Sequence, residues 1–360
     1  MNTRLPIPLW TLAAPVLAWL LLGASLLGLG GGFRLLVAAG LIGGVLAAVH
    51  HAEVVAHRVG EPLGTLVLAV SVTAIEVALI VSLMLTGGPD APSLARDTVF
   101  AAVMIILNGI VGLCLIVGGA RFREQTFGLF GVSASLATLA AIVVLTLILP
   151  NHTTSMAGPA YTNGQLAFVA IVSAGLYGVF VLVQSVRHRD YFLAPASPDS
   201  DEVHAPPPSL GTALLSGALL LACLGAVVLL AKTLAPSIEA SVAAAGAPKA
   251  LVGVIIAGVV LLPEGLAALR AARANRLQTS LNLALGSALA SIGLTIPAVA
   301  IVSIATGMKL TLGIDPKSTV LLLLSLFVTG QSLGTGRTTV LQGSVLLVLF
   351  ATYLFTTVVP

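Results

Sequence analysis

The sequence predicts an all-α integral membrane protein of eleven transmembrane helices: one leading helix, then two inverted five-helix repeats. Three observations predict this. Of the 360 residues, 58% are hydrophobic and only 8% are charged, whereas a soluble domain carries about 25% charged residues. The apolar residues gather into runs of about 20, the length that crosses a hydrocarbon core. A polar stretch divides the chain so that five runs precede it and five follow, once the first run is set aside. The solvent these features select is lipid.

The runs cover approximately 10–30, 33–56, 62–86, 98–119, 126–149, 164–186, 209–232, 246–270, 279–305, 317–334 and 339–359. The first, Trp10 to Leu29, is long enough to span and is not followed by a small-residue cleavage site, so it reads as a membrane helix and not as a signal peptide. Gly87-Gly88-Pro89, Pro150-Asn151 and Asp315-Pro316 separate later runs, where helix breakers belong. Arg187 to Ser209 is rich in proline and charge and reads as a flexible connector. The expected organisation is a leading helix over 1–32, a first repeat over 33–186, a connector over 187–208 and a second repeat over 209–360.

Loop charge orients these runs. With the N-terminus inside, ten Lys and Arg residues fall on the inner side and six on the outer, the bias that cytoplasmic loops carry. The connector is then cytoplasmic. Five spans per repeat, an odd number, force the second repeat to be inverted relative to the first. Secondary transporters share that plan, with substrate held near the bilayer midplane between repeats.

Composition excludes other classes. The net charge is only +3 and no basic tract is present, so nucleic acid is not a partner. Cys114 and Cys223 both lie in apolar runs and read as small packing residues. The phosphate-binding pattern GxxxxGK[ST] does not occur. Transport would therefore draw on an ion gradient, with no nucleotide or other cofactor implied.

Thirteen residues are acidic, and nearly all fall in loops or at span ends. Glu76 and Glu264 are the exceptions, each well inside an apolar run and each in the second span of its half. A carboxylate there costs roughly 2.5 kcal/mol or more on insertion scales unless it faces a cavity or a partner. A lone intramembrane acid can be protonated and hydrogen-bonded within the bundle. Two in matching positions point to a site. Thr73 precedes Glu76 by three residues, which puts both on one helix face. Pro263 precedes Glu264; it removes a backbone donor and releases a carbonyl one turn earlier, or merely kinks the helix for packing. Carbonyls and carboxylates are the oxygen ligands of hard cations. The fourth span adds Asn108, and the ninth adds Asn282, Ser287 and Ser291, the two serines four apart on one face. Such residues also serve helix packing.

Two carboxylates can neutralise one divalent cation. Desolvation raises a carboxylate's pKa and a nearby cation lowers it, so protons and metal compete for the same oxygens. A site that must be protonated or metal-filled before it can cross is an exchanger.

At these residues the sequence resembles the calcium/cation antiporter superfamily, and within it the bacterial calcium/proton, or sodium-potassium/proton, antiporter branch. One matching block runs from His51 to Thr65 and on through Ser71 to Val77. A second is Leu262-Pro263-Glu264-Gly265 through Arg270, followed by Ala284 to Ser291. A third is Gly336-Arg337-Thr338-Thr339-Val340-Leu341-Gln342-Gly343. The resemblance implies a multi-pass protein of the bacterial inner membrane with its N-terminus cytoplasmic. It implies a central site in which Glu76 and Glu264 bind both metal and proton, with Thr73, Ser287 and Ser291 nearby. The cargo implied is Ca2+ exchanged for H+. The superfamily places a Gly-Asn pair before each glutamate, but this chain has Val72-Thr73 and Val260-Leu261, and it has Gly109 and Leu113 where the fourth span would carry polar ligands. Fewer side-chain ligands keep Na+ and K+ open as cargo beside Ca2+.

Weaker signals remain. His50, Glu53 and His57 can share a helix face with His51 beside them. Imidazoles there could sense pH or bind a transition metal, or simply form a solvated helix end. Gln331, Ser332, Arg337 and Gln342 suggest a helix junction, and Asn151-His152-Thr153 matches a glycosylation sequon. Two rivals stand beside the antiporter. A carrier of organic solutes would want a more aromatic pocket than 5% aromatic residues supplies. An intramembrane metalloenzyme would have to be built on His50, His51, Glu53 and His57. A passive scaffold leaves the matched acids unexplained.

Overall fold

The computed structural model describes residues 7–25, 32–60, 63–85, 91–193 and 207–359. Thirteen α-helices follow one another: α1 (Leu9–Ser25), α2 (Phe33–Val59), α3 (Leu63–Leu85), α4 (Ala91–Met104), α5 (Val111–Phe122), α6 (Leu129–Val143) and α7 (Asn163–Leu182), then α8 (Leu210–Ala244), α9 (Ala250–Val260), α10 (Leu262–Arg273), α11 (Leu277–Thr306), α12 (Pro316–Leu333) and α13 (Val340–Val358). Two short strands, β1 (Gln125–Thr126) and β2 (Arg337–Thr338), pair antiparallel. Among the described residues, eight helical segments are long and apolar enough to cross a membrane, nine if the bent pair α9–α10 is one span. The chain is thus a multi-pass membrane protein. α1 is apolar but has only 17 residues. α12 has 18, with Lys317 and Gln331 near its ends. Residues 26–31 of the leading run and 194–206 of the connector lie outside the described residues.

The helices fall into two compact units, one of Met1–Leu83 with Asp201–Ala245, the other of Met84–Ser200 with Gly246–Pro360. Each therefore draws on both halves of the chain. In the first, α2 packs along α1 and α8. Small residues let the axes approach: a Cβ on Gly44 would lie 3.0 Å from Val227 Cγ2. Close backbone approach is how helices associate where lipid supplies no hydrophobic drive. The Trp19 indole N–H donates to the Ala222 carbonyl (3.0 Å), tying α1 to α8. Ser209 caps α8, its hydroxyl accepting from the Thr212 N–H.

In the second unit α11 is the central helix, buried along most of its length and packed on α4, α5, α6, α7 and α10. α5 and α13 cross with backbones touching: a Cβ on Gly343 would come 2.7 Å from both the Gly112 carbonyl and the Ile116 nitrogen. Capping fixes the helix starts. Thr162 with Gln165 and Thr339 with Gln342 form reciprocal capping boxes at α7 and α13. Asp315 caps α12, accepting from the Ser318 N–H (3.0 Å) and hydroxyl (2.6 Å). Burial works against its charge, but those bonds and nearby Lys317 outweigh it and hold its carboxyl below the usual carboxylate range.

A polar cluster anchors the start of α11. Gln125 Nε2 donates to Asn275 Oδ1 (2.9 Å) and to the Ala272 carbonyl (3.2 Å). Asn275 sits at φ 59°, a left-handed conformation that asparagine tolerates better than most residues. The Gly128 N–H donates to Gln278 Oε1, and Gln278 Nε2 donates to Asn282 Oδ1. Asn282 in turn donates to the Phe192 carbonyl, so this amide serves helix packing, as such residues in spans commonly do. The suggested helix junction also takes shape: Arg337 pairs with Glu124 at 3.4 Å across the β1–β2 ladder, and Gln342 caps α13. Asn151 of the sequon donates to the Ile314 carbonyl.

The run over 246–270, read as one span in which Pro263 could place a kink, is sharply bent. Its axis turns by 56° at Leu261, between α9 and α10. The cause is local: Pro263 sits at the first positions of α10 and cannot donate into the helical ladder.

Candidate functional site

Each glutamate is positioned by its own unit. In the first, Thr73 and Glu76 lie one turn apart on α3 and are 4% and 5% exposed. The spacing rule thus holds: both side chains occupy the buried face, with Ile75, Leu79 and Ile80 around them in sequence.

In the second unit Glu264 stands in the first turn of α10, just past the break, and is half-buried. The helix start presents backbone N–H groups, and the end of α9 presents carbonyls; a broken span thereby offers both signs of partial charge at one depth. The first turn of α10 rests on a π-helical segment, Ile105–Ile110, inserted between α4 and α5. A Cβ on Gly265 would meet Ile110 Cδ1 at 3.2 Å. The same segment touches α11, α12 and α13. Asn108 lies within it and is fully buried. π-bulges interrupt the regular ladder and are frequent at functional sites.

Asn108 is held on one side only. Its Nδ2 donates to Ser325 Oγ of α12 (2.9 Å) and reaches the Met104 carbonyl (3.4 Å). Because a backbone carbonyl can only accept, the atom beside it must be the amide nitrogen, which settles the orientation of the amide. Asn108 Oδ1 is buried and has no hydrogen-bond partner among the described residues. Leaving such an acceptor unmade costs about 1–3 kcal/mol. On α11, Ser291 is buried and Ser287 half-buried. Thr295, one turn beyond Ser291, is fully buried with its hydroxyl unpartnered among the described residues. In α12, Thr329, one turn beyond Ser325, has the same character. The second unit therefore packs the segment of Asn108 against the first turn of α10, against α11 and against α12, whose Ser325 meets Asn108 directly. Ser325, Thr329 and Thr295 were not singled out from the sequence. Their signal was a pair of hydroxyls four residues apart inside an apolar run, which Ser287 and Ser291 also show.

Gly109 and Leu113, which stand where polar ligands were expected, line a separate apolar cleft of about 320 Å³ with Gly258, Leu262, Leu347 and Phe350. That side of the fourth span is lined by apolar and small residues.

The histidines separate. His51 is fully buried, with Nε2 3.0 Å from the Thr11 carbonyl of α1. His50 stacks at an angle on Trp10, ring centroids 5.9 Å apart. His57 is exposed at the helix end. Among the described residues no three His, Cys, Asp or Glu side chains gather as a metal cluster.

Known proteins resemble this chain over most of its length. The family model described as sodium/calcium exchanger protein matches residues 29–186 and 215–359. The ionic transporter y4hA of Sinorhizobium fredii is 53% identical over 330 residues, covering 91% of this chain and 89% of the relative. The sodium-potassium/proton antiporter ChaA of Escherichia coli is 39% identical over 327 residues, covering 90% and 88%. Among solved structures, an H+/Ca2+ exchanger, CAX, superposes with a TM-score of 0.72 at 16% identity over 96% of this chain and 87% of that one; at that identity the likeness concerns the fold.

Proposed function

The chain belongs to the sodium/calcium exchanger protein family, a family of membrane cation transporters and not of enzymes, and on that premise we propose that it exchanges cations for protons at a two-glutamate site. The observation that carries this reading is the pair Glu76 and Glu264. Both lie inside apolar spans, one buried beside Thr73 and the other at the start of a half-helix created by a break. Side chains available to the cation are Glu76, Glu264, Thr73, Asn108, Ser287 and Ser291. The two carboxylates hold protons in one half-cycle and metal in the other, and alternating access carries each load across. The cargo proposed is Ca2+, with Na+ and K+ as alternatives. The sodium-potassium/proton antiporter at 39% identity favours the monovalent cations. The H+/Ca2+ exchanger favours Ca2+ only by fold. The test is everted vesicles carrying an imposed pH gradient, challenged in turn with Ca2+, Na+ and K+ while proton release is followed. Release by none of the three would overturn the reading.

The membrane arrangement proposed is eleven spans. α1 and α12 cross beside the nine longer segments, the leading helix over 1–32 precedes inverted repeats over 33–186 and 209–360, and the 187–208 connector lies in the cytoplasm of a bacterial cell. Reporter fusions at Ser197 and at the C-terminus are expected on opposite sides of the inner membrane. Signals on the same side would refute this topology.

His50, His51 and His57 are proposed to tune the pH response without carrying cargo, because they stand in the last turns of α2 with Glu53 and Arg58. Replacing all three histidines is expected to shift the pH profile of exchange while leaving it measurable. Complete loss in a folded protein would make them part of the transport path.

A further inference from the structure

We propose that Ser325 of α12 is a positioning residue that aims Asn108 at the cation and so sets how tightly the site holds it. The inference rests on the exchange reading above. Asn108 and Ser325 are separated by 217 positions, yet their side chains meet at 2.9 Å, both fully buried. Ser325 has one hydroxyl proton and two lone pairs. The proton is directed to Met104 Sδ at 3.7 Å, which leaves a lone pair to accept the Asn108 N–H. The Met104 carbonyl at 3.4 Å receives the same amide group. With its nitrogen held on that side, the Asn108 carbonyl oxygen must point the other way, and that oxygen has no hydrogen-bond partner among the described residues.

An amide oxygen with its nitrogen pinned is a preorganised neutral ligand for a hard cation. It adds an oxygen without adding charge. A site with two carboxylates and neutral oxygens can hold either one divalent or one monovalent ion, so the placement of the neutral oxygen tells on cation affinity more than on proton binding. The π-helical turn that carries Asn108 also touches the first turn of α10, where Glu264 stands.

The test uses the full chain in everted vesicles, with initial rates of proton release measured against the concentration of Na+, K+ and Ca2+. Ser325→Ala is expected to raise the half-saturating concentration of the transported cation about three- to tenfold, the factor that one hydrogen bond of ordinary strength supplies. The maximal rate should stay within about twofold. Ser325→Thr, which keeps the hydroxyl, should restore the parental value. In an Asn108→Ala background, Ser325→Ala should add nothing further, since the group it orients is gone. An unchanged half-saturation, an equal effect in the Asn108→Ala background, or a loss confined to the maximal rate would each overturn the proposal. Should Ser325→Ala fail to elute as a monodisperse species, Ser325→Cys replaces it, with the same outcomes. The same variants, purified, are also read by the shift in melting temperature that each cation produces. That readout tests the Asn108–Ser325 coupling even if the vesicles exchange nothing. Glu264→Gln, run alongside, separates the two ideas: parental exchange in it sinks the glutamate mechanism and leaves the coupling to be judged on its own.

Discussion

Glu76→Gln and Glu264→Gln are each expected to abolish proton-coupled exchange and to weaken Ca2+ binding by about two to three orders of magnitude. Each substitution keeps the shape of the side chain and removes its charge. Removing one partner from a buried charge pair costs roughly 3–5 kcal/mol, and every 1.4 kcal/mol is about tenfold in affinity. The lone remaining carboxylate cannot neutralise a divalent ion, whereas a monovalent ion loses less. Exchange itself should fail with any cation, because the site must hold protons in one half-cycle and metal in the other. The measurement is vesicle transport, with folding checked by a monodisperse elution profile. Near-parental exchange of Ca2+, Na+ or K+ by either folded variant would show that the two glutamates are not the coupling site.

Gly343→Leu is expected to destroy the packing of α13 on α5. Even the first side-chain carbon at Gly343 would stand 2.7 Å from the Gly112 carbonyl and from the Ile116 nitrogen. Backbone atoms cannot swing aside as a flexible side chain can. The helices must separate, at the cost of about 1–3 kcal/mol or more for overpacking, together with lost contacts along the whole crossing. The π-helical segment of Asn108 packs on the same helix, so cation binding should fall with stability. The expected result is aggregation on detergent extraction or a melting temperature lowered by several degrees. Gly175→Ala on α7, where an added Cβ meets nothing within 4 Å, is the control and should leave both properties near parental. Equal melting temperatures for the two variants would mean that the α5–α13 contact contributes little.

Much of the architecture was legible from residues alone. Apolar runs, glycine and proline breakers and a charge content of 8% decide the solvent, and the solvent decides that the chain is helical. Glu76 and Glu264 were legible because a carboxylate in an apolar run is costly wherever the run folds. Thr73 was legible because a spacing of three residues fixes a common face, and it is buried with Glu76. Pro263 announced an interruption, and the span bends by 56° there. Other features were not legible. His50, Glu53 and His57 match a helical spacing, but helix packing buried His51 against Thr11 and left His57 exposed. Asn282 could be read as packing or as pathway, and only the fold shows its donor on the Phe192 carbonyl.

By itself the sequence determined the membrane class and placed two acids inside apolar runs, because transfer into lipid is a free energy summed residue by residue along the chain. Only the tertiary structure decided which polar side chains are tied to the scaffold and which keep an open acceptor. Ser325 reads as an ordinary helix-packing serine until α12 is laid against the π-helical turn of Asn108. A hydrogen bond between groups 217 residues apart forms only when packing brings a donor within about 3 Å of an acceptor, and no pattern along either helix encodes that distance.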